Sequence, residues 1–155
     1  MRHGRRFAID VGAARVGLAV SDANSIVVTP LEHLRRDSKT LSLCLERINE
    51  LGEVIEIFVG LPLNLKERET ASTADAIQFA RELQAVVGVD VRLVDERFST
   101  RIASANLRTA GFSAIRQRGL IDSAAAAVIL ESAITHEKQT GTTAGVKVSD
   151  YASES

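Results

Sequence analysis

Hydrophobic residues at the start of the chain fall into two short runs that flank a glycine-containing turn. The runs are residues 7–9 and 16–20 of the segment FAIDVGAARVGLAVSD, and the strands predicted around them are residues 6–10 and 16–21. Two such runs joined by a short turn predict a β-hairpin. A third apolar stretch, residues 26–31, extends the hairpin to a three-stranded meander that ends near Pro30.

Downstream, apolar residues recur mainly at helical spacing, with short continuous apolar runs between the helical segments. The last helical segment contains AAAAVIL and is apolar almost all round, which predicts that it is buried. The predicted helices are residues 37–51, 67–87, 99–109 and 120–135, and the predicted strands between them are residues 54–59 and 89–94.

The resulting order of elements is β-β-β-α-β-α-β-α-α. A leading meander followed by strand–helix units predicts an α/β fold, with a mixed sheet and helices on both faces. Residues 1–135 are predicted to form one domain, which fits a chain of 155 residues. Residues 136–155 are polar and lack periodicity, so we expect them to form a disordered tail.

Composition excludes several classes of protein. The single cysteine, Cys44, excludes an internal disulfide framework and a multi-cysteine zinc site. Its apolar neighbours indicate an inert core residue. The basic N-terminus lacks the apolar stretch of a signal peptide, and no apolar run is long enough to span a membrane. We therefore expect a cytoplasmic protein with no membrane partner.

Three carboxylates stand at the ends of predicted core elements. Asp10 closes the first strand, Glu96 closes the last strand, and Asp122 opens the final helix. In an open α/β sheet the functional crevice lies beyond the carboxyl ends of the strands, so these side chains can meet there. Three carboxylates suit a hard cation, Mg²⁺ or Mn²⁺, and two such ions about 4 Å apart support phosphodiester cleavage. Asp10, Glu96 and Asp122 are therefore the predicted catalytic and metal-binding residues.

Each carboxylate also has a simpler explanation. Asp10 precedes a glycine-containing turn and is typical of a turn residue. Glu96 beside Arg97 is typical of an exposed ion pair, and Asp122 is typical of a helix N-terminus. Asp95 is a further candidate ligand, although alternation along a strand directs it to the face opposite Glu96.

Basic residues concentrate in residues 97–121, which contain no Asp or Glu. The formal net charge of -1 therefore hides a segregated charge distribution. A row of guanidinium groups beside carboxylates suits a polyanion backbone held over metal ions, and a solvated helix face is the alternative. Arg35, Arg36 and Arg68 extend the basic surface. The predicted nucleic-acid-binding residues are Arg97, Arg101, Arg108, Arg116, Arg118 and Lys66.

Loop and cap residues complete the predicted site. Gly12 has no side chain, so the backbone near Asp10 can approach a ligand closely. Gly60 and Pro62 shape the loop that follows a predicted core strand. Ser99 is interpreted as a helix cap rather than a nucleophile.

Four segments carry a resemblance to a known family: DVGAARVGLAVSD, VGLPLN, DERFST and IDSAAAAVIL, in this order. Over roughly residues 6–135 the chain resembles the YqgF/RuvX family of Holliday-junction resolvases, in the ribonuclease H-like superfamily. The resemblance implies a five-stranded mixed sheet, Mg²⁺ or Mn²⁺ dependence, a nucleic-acid substrate and catalytic roles for Asp10, Glu96 and Asp122. Members often have an acidic-glycine turn after GLPLN. This chain has LKER there, which leaves the loop's shape open.

The resemblance predicts a metal-dependent endonuclease and leaves its substrate open. Family members have been linked to resolving DNA junctions and to trimming the 5′ end of precursor 16S rRNA. A resolvase implies a two-fold symmetric homodimer, whereas an RNA trimmer can be a monomer. An ATP-binding module ranks lower because no second Asp-x-Gly segment occurs. A non-catalytic nucleic-acid binder ranks lower because buried carboxylates without a cation would only destabilise the fold.

Overall fold

The computed structural model describes residues 1–63, 66, 68–96 and 123–151. The predicted helix over residues 99–109 lies outside these ranges. Among the described helices, none is long and apolar enough to cross a membrane. The strands are β1 (Arg5–Val11), β2 (Arg15–Ser21), β3 (Val28–Arg35), β4 (Val54–Leu61), β5 (Asp90–Asp95) and β6 (Val146–Lys147), and the helices are α1 (Thr40–Leu51), α2 (Ala71–Gln84) and α3 (Ala124–Thr140).

The strands form one mixed sheet in the order β3-β2-β1-β4-β5-β6. The leading meander pairs antiparallel, whereas β4 runs parallel to both β1 and β5. The predicted α/β class with a mixed sheet is therefore observed, with one addition to the five predicted strands. The sixth strand, β6, pairs antiparallel with β5 and has only two residues.

Alternate residues of β1 enter two different cores. Phe7 and Ile9 pack in the core beneath α1 and α2, whereas Ala8 packs with Phe58 beneath α3. Because side chains alternate along a strand, Asp10 belongs to the α3 face of the sheet. The sheet therefore has helices on both faces, and α3 covers the face that carries Asp10.

The start of β3 differs from the prediction over residues 26–31. The carboxylate of Asp22 accepts hydrogen bonds from the backbone N–H groups of Asn24, Ile26 and Val27, at 3.1, 2.7 and 2.8 Å. These bonds hold the segment as a turn and delay the strand to Val28. Ile26 and Val27 are consequently 74% and 58% exposed, so their apolarity was a misleading signal for a strand.

The segment after His136 also differs from the expected disordered tail. Helix α3 continues to Thr140 and ends at Gly141, which has a left-handed backbone. The Arg92 guanidinium on β5 donates to the carbonyls of Ala144 and Gly145, at 2.7 and 2.8 Å. Val148 is 2% exposed and belongs to the main core. The contacts of Arg92 and the buried side chains of Ala144 and Val148 therefore order a segment that has no periodicity.

An ion network at the end of the strands opposite to Asp10 joins β1, β4 and α3. The buried Arg6 guanidinium contacts Glu137 at 3.0 Å. Arg2 contacts both Glu137, at 2.6 Å, and the buried Glu56, at 2.9 Å. Two positive and two negative charges are thus balanced where burial makes an uncompensated charge costly.

Candidate metal-binding site

Asp10 and Glu96 meet at the carboxyl edge of the parallel strands. Asp10 lies near the end of β1, and Glu96 follows directly after β5. Their side chains share a hydrogen bond, although β4 separates the two strands in the sheet. Both residues are half-buried. The structure therefore brings together two of the three carboxylates that the sequence selected.

Gly60 on β4 provides the space for this meeting. It pairs with Val94, and the preceding Val59 pairs with Ile9, so Gly60 lies between the two acidic residues. A Cβ atom on Gly60 would overlap the Glu96 Oε1 atom and lie 2.6 Å from Ile129 Cδ1. Because Gly60 has no side chain, the Glu96 carboxylate can extend across β4 towards Asp10.

The environment of Glu96 disfavours its charged form. Burial, the charge of Asp10, the hydrogen bond with Asp10 and the charge of Asp95 raise the pKa of the Glu96 carboxyl to about 7. Either a proton or a cation would relieve the repulsion between two such neighbours. Carboxylate oxygens are the ligands that Mg²⁺ and Mn²⁺ prefer, so this pair fits a hard divalent cation.

The third predicted ligand, Asp122, lies outside the described residues. Within the described part of the chain, no group of three or more His, Cys, Asp or Glu side chains is arranged to hold a metal ion. The next residue, Ser123, is fully buried at the start of α3. Its Oγ atom accepts a hydrogen bond of 3.1 Å from the backbone N–H of Leu18.

This bond fixes the start of α3 to β2 close to Asp10. Leu18 follows Gly17, and Gly17 is the residue that pairs with Asp10 across the β1–β2 hairpin. The bond also lies at an irregularity of the sheet. The register of the pairing between β2 and β3 shifts between Val16 and Leu18. Such irregularities are common beside active sites, where they redirect the chain.

Arg36 holds the turn that follows Asp10, whereas the sequence indicated only that it extends a basic surface. Its backbone N–H donates to the carbonyl of Ala14 at 3.0 Å, and its guanidinium donates to the carbonyl of Gly12 at 3.0 Å. The same guanidinium binds both carboxylate oxygens of Asp75 on α2, at 2.8 and 3.0 Å. This pair spans 39 residues of sequence, so no local pattern indicates it.

The remaining predicted residues have different outcomes. Lys66 is exposed in the connection between β4 and α2, and the Pro62 carbonyl there accepts a hydrogen bond from the Thr73 hydroxyl. Cys44 is buried on α1, where burial raises the pKa of its thiol to about 12, so it is no nucleophile at neutral pH. The predicted residues that lie outside the described ranges are Arg97, Ser99, Arg101, Arg108, Arg116, Arg118 and Asp122.

Comparison with known sequences gives consistent results. A family profile described as RuvX, Holliday junction resolvase, matches residues 4–136. A Mycobacteroides abscessus protein named provisionally as a pre-16S rRNA nuclease is 46% identical over 142 residues, covering 89% of this chain and 85% of its own. A Clavibacter sepedonicus protein with the same name is 45% identical over 151 residues, covering 96% and 93%.

Comparison with solved structures identifies the fold. RuvC of Thermus thermophilus, in complex with a Holliday junction substrate, matches with a TM-score of 0.60 at 16% identity, covering 93% of this chain and all of its own. The Fowlpox virus resolvase, solved with Holliday junction DNA, matches with a TM-score of 0.54 at 9% identity, covering 87% and 97%. These likenesses confirm the ribonuclease H-like α/β class expected from the sequence.

Proposed function

Because this chain belongs to the RuvX family, we propose that it is a nuclease that hydrolyses phosphodiester bonds in structured nucleic acid with Mg²⁺ or Mn²⁺. The observation that carries the proposal is the carboxyl pair of Asp10 and Glu96 above Gly60. The Asp10 and Glu96 carboxyl groups share a hydrogen bond and the pKa of Glu96 is raised, so their repulsion must be relieved by a proton or a cation, and a hard divalent cation fits this pair. A purely structural role gives no reason to keep this arrangement.

In this proposal Asp10, Glu96 and Asp122 hold two ions, and neighbouring residues fix the geometry. When bound, two such ions supply activation of a water molecule and stabilisation of the leaving oxygen. Gly60 leaves the space for Glu96, and Arg36 holds the turn after Asp10. The hydrogen bond from the Leu18 N–H to Ser123 joins the start of α3 to the strand that pairs with β1 at Asp10.

The substrate has two candidates, each favoured by a specific comparison. The family description favours a four-way DNA junction, whereas the names of the relatives favour precursor 16S rRNA. We propose that the resolvase activity operates in a homodimer, because two symmetric cuts require two active sites related by a two-fold axis. The arginines over residues 97–118 and Lys66 are proposed to hold phosphates of either substrate.

The test compares cleavage of a four-way DNA junction and of a precursor 16S rRNA fragment with Mg²⁺ or Mn²⁺. We expect wild type to cut at least one of them and Asp10→Asn to lose that cutting. Asp90→Asn is the matched control, because Asp90 is an exposed aspartate at the start of β5, at the end of the strands away from the carboxyl pair. Paired symmetric nicks in the junction would favour the resolvase, and cutting of RNA alone would favour rRNA maturation.

Two results would contradict the proposal. If wild type cuts neither substrate, or if Asp10→Asn cuts as well as wild type, the carboxyl pair is not part of a nuclease centre. Titration with Mn²⁺ gives a second readout without turnover, because wild type should bind the ion more tightly than Asp10→Asn. Equal Mn²⁺ affinity in the two proteins would remove the proposed ligand role of Asp10.

A further inference from the structure

The Asp75 carboxylate on α2 fixes the orientation of the Arg36 guanidinium. Its two oxygens accept hydrogen bonds from Nη1 and Nη2 of Arg36, at 2.8 and 3.0 Å. Two such parallel bonds fix the plane of a guanidinium group as well as its position. With that plane fixed, Nη1 donates its second hydrogen to the carbonyl of Gly12 at 3.0 Å. The bond from Arg36 to the turn after Asp10 therefore follows from the position of Asp75.

Asp75 belongs to a helix start that further bonds hold in place. Thr70 is the N-cap of α2, and it exchanges hydrogen bonds with Thr73 in a capping box. The Thr73 hydroxyl also donates to the Pro62 carbonyl in the connection between β4 and α2. The hydrogen bonds from Arg36 lower the pKa of the Asp75 carboxyl, so this group is charged at neutral pH. Asp75 is therefore a charged acceptor on a fixed support.

The turn that Arg36 holds begins two residues after Asp10. Its first residue, Gly12, donates its N–H to the carbonyl of Arg15 at 2.9 Å. Arg36 bonds the turn twice, because its backbone N–H donates to the carbonyl of Ala14 and its side chain donates to that of Gly12. Asp10 lies near the end of β1, next to this turn, so a shift of the Gly12 carbonyl moves the part of the strand that carries the carboxylate.

We propose that Asp75 is a positioning residue for the metal site, acting through Arg36 and the Gly12 carbonyl on the placement of Asp10. The inference rests on the proposed nuclease function and extends it to a helix that carries none of the proposed metal ligands. Removal of a residue that orients a metal ligand commonly lowers metal affinity by about 10- to 100-fold. Asp75 is one contact further from the ligand than Arg36, so its effect belongs at the lower end of this range.

The test measures Mn²⁺ binding and local hydrogen exchange in Asp75→Asn. Asparagine keeps the size of the side chain but has an NH₂ group in place of one acceptor oxygen, so it cannot accept both bonds from Arg36. We expect the Kd for Mn²⁺ in calorimetric titration to rise on the order of tenfold. In the metal-free protein, the backbone N–H groups of Gly12 and Arg36 should exchange faster than in wild type. The melting temperature should change little, because the ion pair is partly exposed.

A double variant separates positioning from packing. Arg36→Asp combined with Asp75→Arg again places opposite charges between the end of β3 and α2, but a carboxylate cannot donate to the Gly12 carbonyl. If the pair only fastened α2 to the sheet, this exchange would restore Mn²⁺ affinity. A positioning role predicts that the Kd for Mn²⁺ stays raised and that the Gly12 N–H still exchanges quickly.

Glu82→Gln is the matched control on the same helix. The hydrogen bond to Asp75 raises the pKa of Arg36 most, and the charge of Glu82 also raises it. Glu82 accepts a hydrogen bond from Gln78 at 3.1 Å, so its substitution removes a charge that acts on Arg36 without removing the bonds to Asp75. This variant should keep the Mn²⁺ affinity and the exchange rates of wild type.

Three results would overturn the proposal. Wild-type Mn²⁺ affinity in Asp75→Asn would show that the carboxylate does not act on the site. Recovery of Mn²⁺ affinity in the double variant would reduce the pair to a packing contact, and an equal loss in Glu82→Gln would assign the effect to the charge of α2. Asp10→Asn keeps the two proposals apart. If it loses Mn²⁺ affinity while Asp75→Asn does not, the metal site stands and the role of Asp75 fails; if wild type binds no Mn²⁺, both fail.

Discussion

The substitution Gly60→Ala tests the carboxyl site through a residue that has no chemistry of its own. The added methyl carbon would overlap Glu96 Oε1, and it would lie 2.6 Å from Ile129 Cδ1 and 3.0 Å from Glu96 Cγ. Carbon atoms pack favourably at about 3.5 to 4.0 Å, so Ile129 and Glu96 must each move by about 1 Å. The movement of Ile129 disturbs packing, and the movement of Glu96 takes its carboxylate away from Asp10.

Two magnitudes follow from these contacts. Overpacking of this kind lowers the free energy of unfolding by about 1 to 3 kcal/mol. Replacing glycine by alanine also restricts the unfolded chain, which raises the free energy of unfolding by about 0.4 to 1 kcal/mol. We therefore expect Gly60→Ala to lower the free energy of unfolding by about 1 to 2 kcal/mol. A displacement of about 1 Å at a reacting centre can lower the rate by about a hundredfold. The cleavage rate of Gly60→Ala should therefore fall strongly while the protein stays folded.

The assay measures cleavage rate against Mn²⁺ concentration, together with unfolding in urea. Gly88→Ala is the matched control, because nothing lies within 4 Å of a Cβ atom added there and its backbone angle does not require glycine. That control should cleave and unfold as wild type does. Wild-type cleavage by Gly60→Ala, with an unchanged dependence on Mn²⁺, would refute the role of Gly60 in placing Glu96.

Three further substitutions test other contacts. Ser123→Ala leaves the Leu18 N–H without its partner, which should destabilise the fold by about 1 to 3 kcal/mol. The cleavage rate at saturating substrate should fall, while the affinity for nucleic acid in EDTA should stay unchanged. An unchanged cleavage rate would contradict the role of this bond in the site. Arg36→Ala releases the Gly12 carbonyl and should raise the Mn²⁺ concentration for half-maximal cleavage, whereas Arg81→Ala should not. Burial raises the pKa of Glu137, but the hydrogen bond from Arg2 and the charges of Arg6 and Arg2 outweigh it and hold that pKa below its usual range. The stabilisation is therefore present above the unfolded pKa of about 4.3 and is lost as the pH falls through the lower folded value. Glu137→Gln should destabilise the protein by about 3 kcal/mol at pH 7 and by less at pH 3, and an equal loss at both values in urea unfolding would contradict this reasoning.

The positions of Asp10 and Glu96 could be predicted because a simple rule governs them. Both follow apolar strand runs, and the carboxyl ends of parallel strands share an edge, so their meeting follows from the order of elements. The role of Gly60 was only partly visible, since the sequence marked it as a loop residue while the structure places it in β4. Its function depends on which strand lies between β1 and β5, and a single sequence does not state strand order.

Other features depended on contacts between residues that are distant in sequence. The bond between Arg36 and Asp75 joins the end of β3 to α2, and no periodicity connects them. Ile26 and Val27 looked like strand residues because of their apolarity, but Asp22 binds their N–H groups. In each case a single polar side chain decides the local structure, and hydrophobic pattern carries no information about it.

The short strand β6 has a consequence for the boundary of the folded unit. It pairs with β5, and the Arg92 guanidinium donates hydrogen bonds to the carbonyls of Ala144 and Gly145, just before β6. Without residues 141–151, the backbone N–H and C=O groups on the outer side of β5 would face solvent along an open edge. Open edges pair with the strands of other molecules and start aggregation. Residues 141–151 therefore cover the edge of β5 and limit aggregation. A shortened chain ending at Thr140 would aggregate more readily than the full chain.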